Sequence, residues 1–429
     1  MTSLSRIYYV NSMTGSDQND GLSEECAFAS LFRINKLKLY PGDKVLLMRG
    51  SVFHGQFLRI TDSGTKEQPI VIGAYADGAA PIIAADGEGI WYQDYGTSLD
   101  SPTHVFKGYV SSAVLLYDAE NIIVENIEIT NQASGIIGEN YSAPHKMNRT
   151  GVAVVAKDHG LRSGIALRNL HIHDVNGNVY DKHMNNGGIY MTALKPGDEE
   201  ATGAARFKDI VVEGCYVYRV SRWGIAVGYT YAHEKFQGGE LSEQPFLTHG
   251  HENIVIRDNY VKYAGGDGIT VMYALRPLIE HNMTDTVAYE INDRIYSEPE
   301  NRGGKVAAAI WPWKCKGARF CYNEAVDTRL NQDGMAYDAD SGDGTIYEYN
   351  YSRANEGGCV MFCLQEAVNN IFRCNVSYDD FGGTISPSGN PDALLSHNTF
   401  YVRKGVPFVR KNMDGGNFTE DENEIIEMD

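Results

Sequence analysis

The chain has 429 residues, of which 43% are hydrophobic, 45 are glycine and only 13 are proline, and its formal net charge is −19. That apolar content is ample for a continuous core and excludes a disordered chain. The charge argues against a nucleic-acid partner, which needs a basic surface to release counterions, and more weakly against a long polyanion such as pectate or alginate.

Residues 1–44 read as an N-terminal cap. They contain Tyr8-Tyr9-Val10-Asn11, Gly15-Ser16-Asp17, Asp20-Gly21 and Pro41-Gly42-Asp43, with a short helix expected over Leu31 to Leu39. Met1 to Asn11 has no apolar signal-peptide stretch, and no run is long enough to span a membrane. The chain as it stands is therefore expected to be cytoplasmic, without a membrane partner. The seven cysteines form no C-x-x-C pair and are expected as buried free thiols, not zinc ligands.

From Val45 onward the sequence repeats. Strand-like runs end in Asn at 126, 169, 259, 282, 323, 350, 375 and 398, and neighbouring copies lie 23 (259 to 282), 27 (323 to 350), 25 (350 to 375) and 23 (375 to 398) residues apart. The gaps of 43 (126 to 169) and 45 (214 to 259, Gly214 replacing Asn) equal two such periods, or one period plus an insertion. A Gly followed by an apolar strand comes after most of these Asn positions, as in Gly188-Ile189, Gly224-Ile225, Gly268-Ile269 and Gly358-Cys359. Short strands separated by Gly- and Asn-rich turns describe the coils of a right-handed parallel β-helix, an all-β solenoid. The expected layout is one domain over 1–429, with coils at 45–402 and a tail at 403–429. The Asn column is read as structural: Asn tolerates a left-handed turn, and its amide can ladder between rungs.

Long insertions interrupt the coils at Tyr92 to Tyr109, Gln132 to Arg149, Asn176 to Asn186, Leu194 to Arg206, Tyr229 to Glu252 and Thr284 to Arg302. Loops of this length are expected to wall a site. The cap block, the Asn–Gly coils and the run from Ala309-Ile310-Trp311-Pro312-Trp313 through Asn355-Glu356-Gly357-Gly358 together resemble bacterial right-handed β-helix carbohydrate-active proteins. The resemblance implies an oligo- or polysaccharide partner. It leaves the chemistry open among glycoside hydrolases, polysaccharide lyases, uronan epimerases and non-catalytic sugar-binding solenoids.

Aligning the coils on the Gly motif puts Trp223, Asp267, Ala308 and Asp333 in one column, with Trp313 level with Asp338. Asp338 and Asp340, two apart, share a face. Asp267, Asp333, Asp338 and Asp340 are the expected catalytic acids, because glycoside hydrolysis needs a proton donor and a second carboxylate. Trp311, Trp313 and Trp223 are the expected sugar platform, Trp311 and Trp313 as an exposed pair; Glu356, His173 and Tyr229 are further substrate-binding candidates. Arg222, Lys305 and Lys314, near the expected cleft, keep a lyase or epimerase open, which needs a base and often a cation that neutralises the substrate acid. No cofactor and no metal are expected, with a loose calcium site over Asp338, Asp340 and Asp343 the lesser reading.

Overall fold

The structure is a computed structural model and describes residues 5–100, 104–133, 147–179, 181–291, 306–410 and 415–429. Its strands stack into three long sheets whose rungs pair in parallel. The chain passes from one sheet to the next and returns one rung higher, which makes a parallel β-helix. The exception is a hairpin in which Ile90–Asp94 runs antiparallel to the start of Lys107–Tyr117. The gaps of 43 and 45 prove to be single coils with insertions, since Glu125 pairs with Arg168 and Glu213 with Arg257 on adjacent rungs.

The coils extend beyond the expected 45–402 at both ends. Ile7–Val10 pairs with Lys44–Met48, so the first rung lies inside the segment read as a cap. Thr419–Asp421 and Glu424–Met428 add a further rung beyond Leu394–Ser396 and Thr399–Arg403. The expected helix shortens to Leu31–Ile34, with Leu31 and Ile34 buried in the end of the core. All seven cysteines are free; Cys215, Cys315, Cys321 and Cys359 are buried, Cys363 and Cys374 are partly so, and Cys26 is exposed.

The Asn ladder forms, with a different division of labour from the expected one. Asn126 and Asn169 adopt the left-handed conformation themselves, with φ of 59° and 48°. From Asp258 onward the left-handed residue is the one before the Asn: Asp258, His281, Tyr322, Tyr349, Cys374 and His397 all have φ between 48° and 58°. The Asn that follows is thereby turned inward. Asn259, Asn282, Asn323, Asn350, Asn375 and Asn398 each send their amide Nδ2 to the Oδ1 of the next Asn at 2.9–3.1 Å. The backbone N–H of each Asn donates to the same acceptor. Ile127, Leu170 and Cys215 hold the equivalent place in earlier coils, and Cys215 N–H starts the ladder on Asn259 Oδ1 at 2.9 Å. Replacing Asn350 by Ala leaves the backbone N–H and one Nδ2 hydrogen of Asn323 without an acceptor and takes a donor from Phe320 O and Asn375 Oδ1. Each buried polar group left unpaired costs roughly 1–3 kcal/mol, so the denaturant midpoint should fall clearly. The exposed Asn417→Ala, measured beside it, should change far less.

The third sheet carries the site. Its strands Gly187–Ala193, Trp223–Thr230, Ile269–Met272 and Ile310–Trp313 are buried at every position. The inner face packs into the solenoid core through Ile189, Ile225, Ile269 and Ile310. The outer face is covered by a second apolar layer that includes Trp91, Tyr95, Tyr190, Tyr229, Phe236, Phe246 and Tyr273, most of them brought by the insertions. Sheets buried on both faces lose the apolar–polar alternation, which is why these strands read as continuous apolar runs.

Candidate active site

Asp338 and Asp340 lie on the outer face of Tyr337–Asp343, with Ala339 pointing into the core between them. A carboxylate oxygen of each and the Sγ of Cys363, which pairs with Asp340 on the next rung, fall within 4.8 Å of one another. Asp333 comes from the turn before the strand, and Asp267 from the turn before Ile269–Met272. With Lys182, Trp311, Val306, Ala307 and Ala308 these four acids line one small recess.

The column expected from the Gly motif is out of register by two residues. Ala309 N–H donates to Met335 O and Ile310 N–H to Ala336 O, so Ala336, not Gly334, matches Ala309. Trp313 is consequently level with Asp340 and not with Asp338. The two extra residues are taken up by a turn built on Asn331, whose Oδ1 accepts from Asp333 N–H at 2.7 Å and Ala307 N–H at 3.1 Å. Asp333 therefore sits above the strand, in the turn, and leans over the Asp338–Asp340 face.

The four acids differ in their surroundings. Asp267 is fully buried and accepts three hydrogen bonds: from Arg222 Nη2 at 3.0 Å, Trp311 Nε1 at 3.0 Å and Ala308 N–H at 3.1 Å. Burial raises its pKa above the usual carboxylate range, against the opposing pull of Arg222. Three donors, one of them a guanidinium, engage both of its oxygens. It positions Trp311 and offers no free oxygen for proton transfer, which removes it from the expected acid set. Asp338 is 4% exposed and its Oδ1 has no hydrogen-bond partner among the described residues. Burial first, then the charges of Asp340, Asp333 and Asp267, drives its pKa well above the usual range. Asp340 is partly exposed; burial raises it too, but Lys182, a 2.9 Å hydrogen bond from Ser341 and Lys314 act in the other direction. Asp333, also partly open to solvent, is raised to about 7 by burial and by the charge of Asp340. Clustered carboxylates with unequal surroundings split into proton holders and charge holders. Asp340, raised to about 6, is the first of the three to ionise, ahead of Asp333 at about 7, while Asp338 is driven well above the usual range.

The aromatic expectation changes most. Trp223 is fully buried, and Trp311 and Trp313 are only 5% and 8% exposed, so the exposed Trp pair does not exist. Trp313 is wrapped by His233 stacked at 5.2 Å, Tyr229 at 5.4 Å and Tyr273 at 5.5 Å, and Tyr229 is itself fully buried. Trp311 alone of the three lines the recess. The physical reason is the insertions, which bury the outer face that an uncovered coil would expose. Glu356 accepts from Leu330 N–H at 2.7 Å and Arg329 Nη1 at 3.2 Å, and so braces the turn that carries Asp333 instead of facing the recess. His173 is on the second sheet, bonded to Asp174 and Glu128, and takes no part in the site. Asp343 is held by Lys316 and Asn369 and is not among the ligand atoms gathered at Asp338 and Asp340, so the lesser reading of a loose calcium site is not assembled. Of the residues that keep a lyase open, Arg222 is fully buried on Asp267, Lys314 is paired with Glu366 at 2.6 Å, and Lys305 lies outside the described residues. Lys182, within the Asn176 to Asn186 insertion, was not singled out in the sequence; an isolated Lys in an irregular loop carries no periodic signal.

No family model matches the sequence. Against solved structures, the chain is 63% identical to the GH136 lacto-N-biosidase of Eubacterium ramulus, with a TM-score of 0.96 over 99% of this chain and 68% of that one. The chain belongs to the GH136 family. It is also 41% identical to a lacto-N-biosidase of Bifidobacterium longum, over 94% of this chain but only 28% of that protein. This GH136 chain thus spans about two thirds of one relative and little more than a quarter of the other. A solved glycoside hydrolase at 11% identity and a TM-score of 0.52 shares the fold alone.

Proposed function

We propose that this GH136 chain is a glycoside hydrolase that cleaves an oligosaccharide, with lacto-N-biosidase activity like that named for its relatives. The observation that carries the chemistry is the unequal acid cluster in the recess. Asp333 donates a proton to the glycosidic oxygen as the bond to the leaving sugar breaks. Asp340, the charged carboxylate, meets the positive charge that develops at the anomeric carbon, as nucleophile or as base for water. Asp338, neutral beside it, supplies a hydrogen-bond donor and keeps a third negative charge out of the site. Lys182 keeps Asp340 ionised, and Trp311, locked by its indole N–H on Asp267, forms the apolar wall of the recess.

The test is product analysis with lacto-N-biose joined to p-nitrophenol and with oligosaccharides that end in lacto-N-biose. Hydrolysis releases the free disaccharide with no ultraviolet-absorbing unsaturated sugar; a product carrying that absorbance overturns the reading in favour of elimination. The pH profile offers a second check. An acid catalyst must be protonated, so kcat/KM should fall as pH rises through about 7, where Asp333 loses its proton. The alkaline limb should be absent from the Asp333→Asn variant.

A further inference from the structure

We propose that Glu128, His171 and His173 form a binding site for one divalent transition-metal ion, zinc by preference, on the second sheet and apart from the acid recess. Glu128 begins Glu128–Asn131 and pairs in register with His171 of His171–Val175 on the next rung. His171 and His173 are two residues apart and share the outward face with Glu128, while Ile129 and Ile172 point into the core. One nitrogen of each imidazole and one carboxylate oxygen all lie within 4.8 Å of one another.

The separations suit an ion. His173 Nε2 is 2.9 Å from Glu128 Oε1, and His171 Nδ1 is 3.9 Å from Glu128 Oε2. Those two distances are to different carboxylate oxygens; with one atom from each residue within 4.8 Å of the others, side-chain rotation reaches the roughly 3.4 Å spacing of tetrahedral zinc with bonds of about 2.0–2.1 Å. The metal takes the place of the proton that bridges Glu128 and His173. Two imidazoles and one carboxylate are a borderline donor set that favours zinc, nickel or copper over calcium or magnesium. All three side chains keep part of their surface accessible, so the ion has an entry path and water completes its coordination.

An outer shell is already built. Asp174 is the extra residue of a bulge between the two strands, with φ of 52°, and its Oδ2 lies 2.7 Å from His173 Nδ1. Arg219 Nε in turn donates to Asp174 Oδ1 at 2.6 Å. A carboxylate on the far nitrogen fixes the tautomer that leaves Nε2 with a lone pair for the metal. The His171 ring is held flat against Tyr216 at 5.0 Å and 9°, and Tyr216 against Tyr260 at 5.3 Å and 8°. The ion ties two consecutive coils together at this face.

Tag-free protein, stripped with EDTA and titrated with zinc chloride in a calorimeter, should bind one zinc per chain with a micromolar or tighter Kd, and its melting midpoint should rise with zinc. Cobalt(II) should give the intense visible bands of a four- or five-coordinate site. Asp174→Asn should weaken zinc roughly 10–100-fold, and His173→Gln or Glu128→Gln should abolish stoichiometric binding. Melting in EDTA shows whether each variant is folded, and His171→Ala replaces any that is not. Binding below one equivalent, or one equivalent that survives both Glu128→Gln and His173→Gln, overturns the site and leaves a hydrogen-bonded His–Glu–Asp cluster.

Discussion

Asp340→Asn should lower kcat on an oligosaccharide by about 10²–10⁴-fold, the range for losing a positioned acid–base group, and so should Asp333→Asn. The two variants should then separate on the p-nitrophenyl glycoside. p-Nitrophenolate leaves without help from a proton, so loss of the acid at Asp333 should matter much less there. Loss of the carboxylate at Asp340 removes what stabilises the anomeric carbon, and the defect should persist on both substrates. Asp338→Asn keeps a neutral donor where Asp338 is already held neutral, and should retain more activity than either. Equal defects for Asp333→Asn on both substrates would remove the acid role from that residue. A dead Asp338→Asn beside an active Asp340→Asn would exchange the parts played by the strand pair. Unchanged melting midpoints show that the losses are chemical.

The largest stability effect is expected at Arg222, a residue that touches no reacting atom. Its guanidinium is fully buried, donates to Asp267 at 3.0 Å and to Val306 O at 2.7 Å, and lies over the Trp223 ring at 5.3 Å. Arg222→Met keeps the bulk and strands a buried carboxylate, a change that typically destabilises by about 3–5 kcal/mol. Adding Asp267→Asn should restore much of that loss, because the remaining polar group is neutral and still has Trp311 and Ala308 as donors. Urea unfolding of the two single variants and the double variant forms a cycle; simple additivity would mean the pair is not coupled. Since the amide oxygen of Asp267→Asn still accepts from Trp311 Nε1, the double variant should fold with Trp311 in place.

The solenoid was legible in the sequence because its two signals are local. A coil needs a left-handed turn at nearly every rung, an inward Asn follows it from Asn259 onward, and 23–27 residues is the contour of one turn around the helix. Even the roles within that turn were only half visible: left-handed Tyr322, Tyr349 and Cys374 carry no Gly or Asn signature, and the stacked ladder alone makes those conformations worthwhile. Asp338 and Asp340 were also within reach, as the period of two on a strand fixes their shared face.

What the tertiary structure decided was register and cover. Counting from Gly334 misplaced Asp333 by two residues, because the length of a turn between sheets is set by what it packs against, here Asn331 and Ala307, and no local pattern records it. Trp223, Trp311 and Trp313 read as a sugar platform, and Tyr229 as a binding residue, only if the outer face is open; the insertions that close it pack through contacts far apart in the chain, such as His233 on Trp313. The separation of a paired Asp267 from Asp338, Asp333 and Asp340, which ionise in the order Asp340 before Asp333 with Asp338 raised well above the usual range, lies deeper still. It depends on which carboxylate Arg222 and Lys182 reach across the coils, and a carboxylate's charge follows its neighbours in space, which the order of residues along the chain does not give.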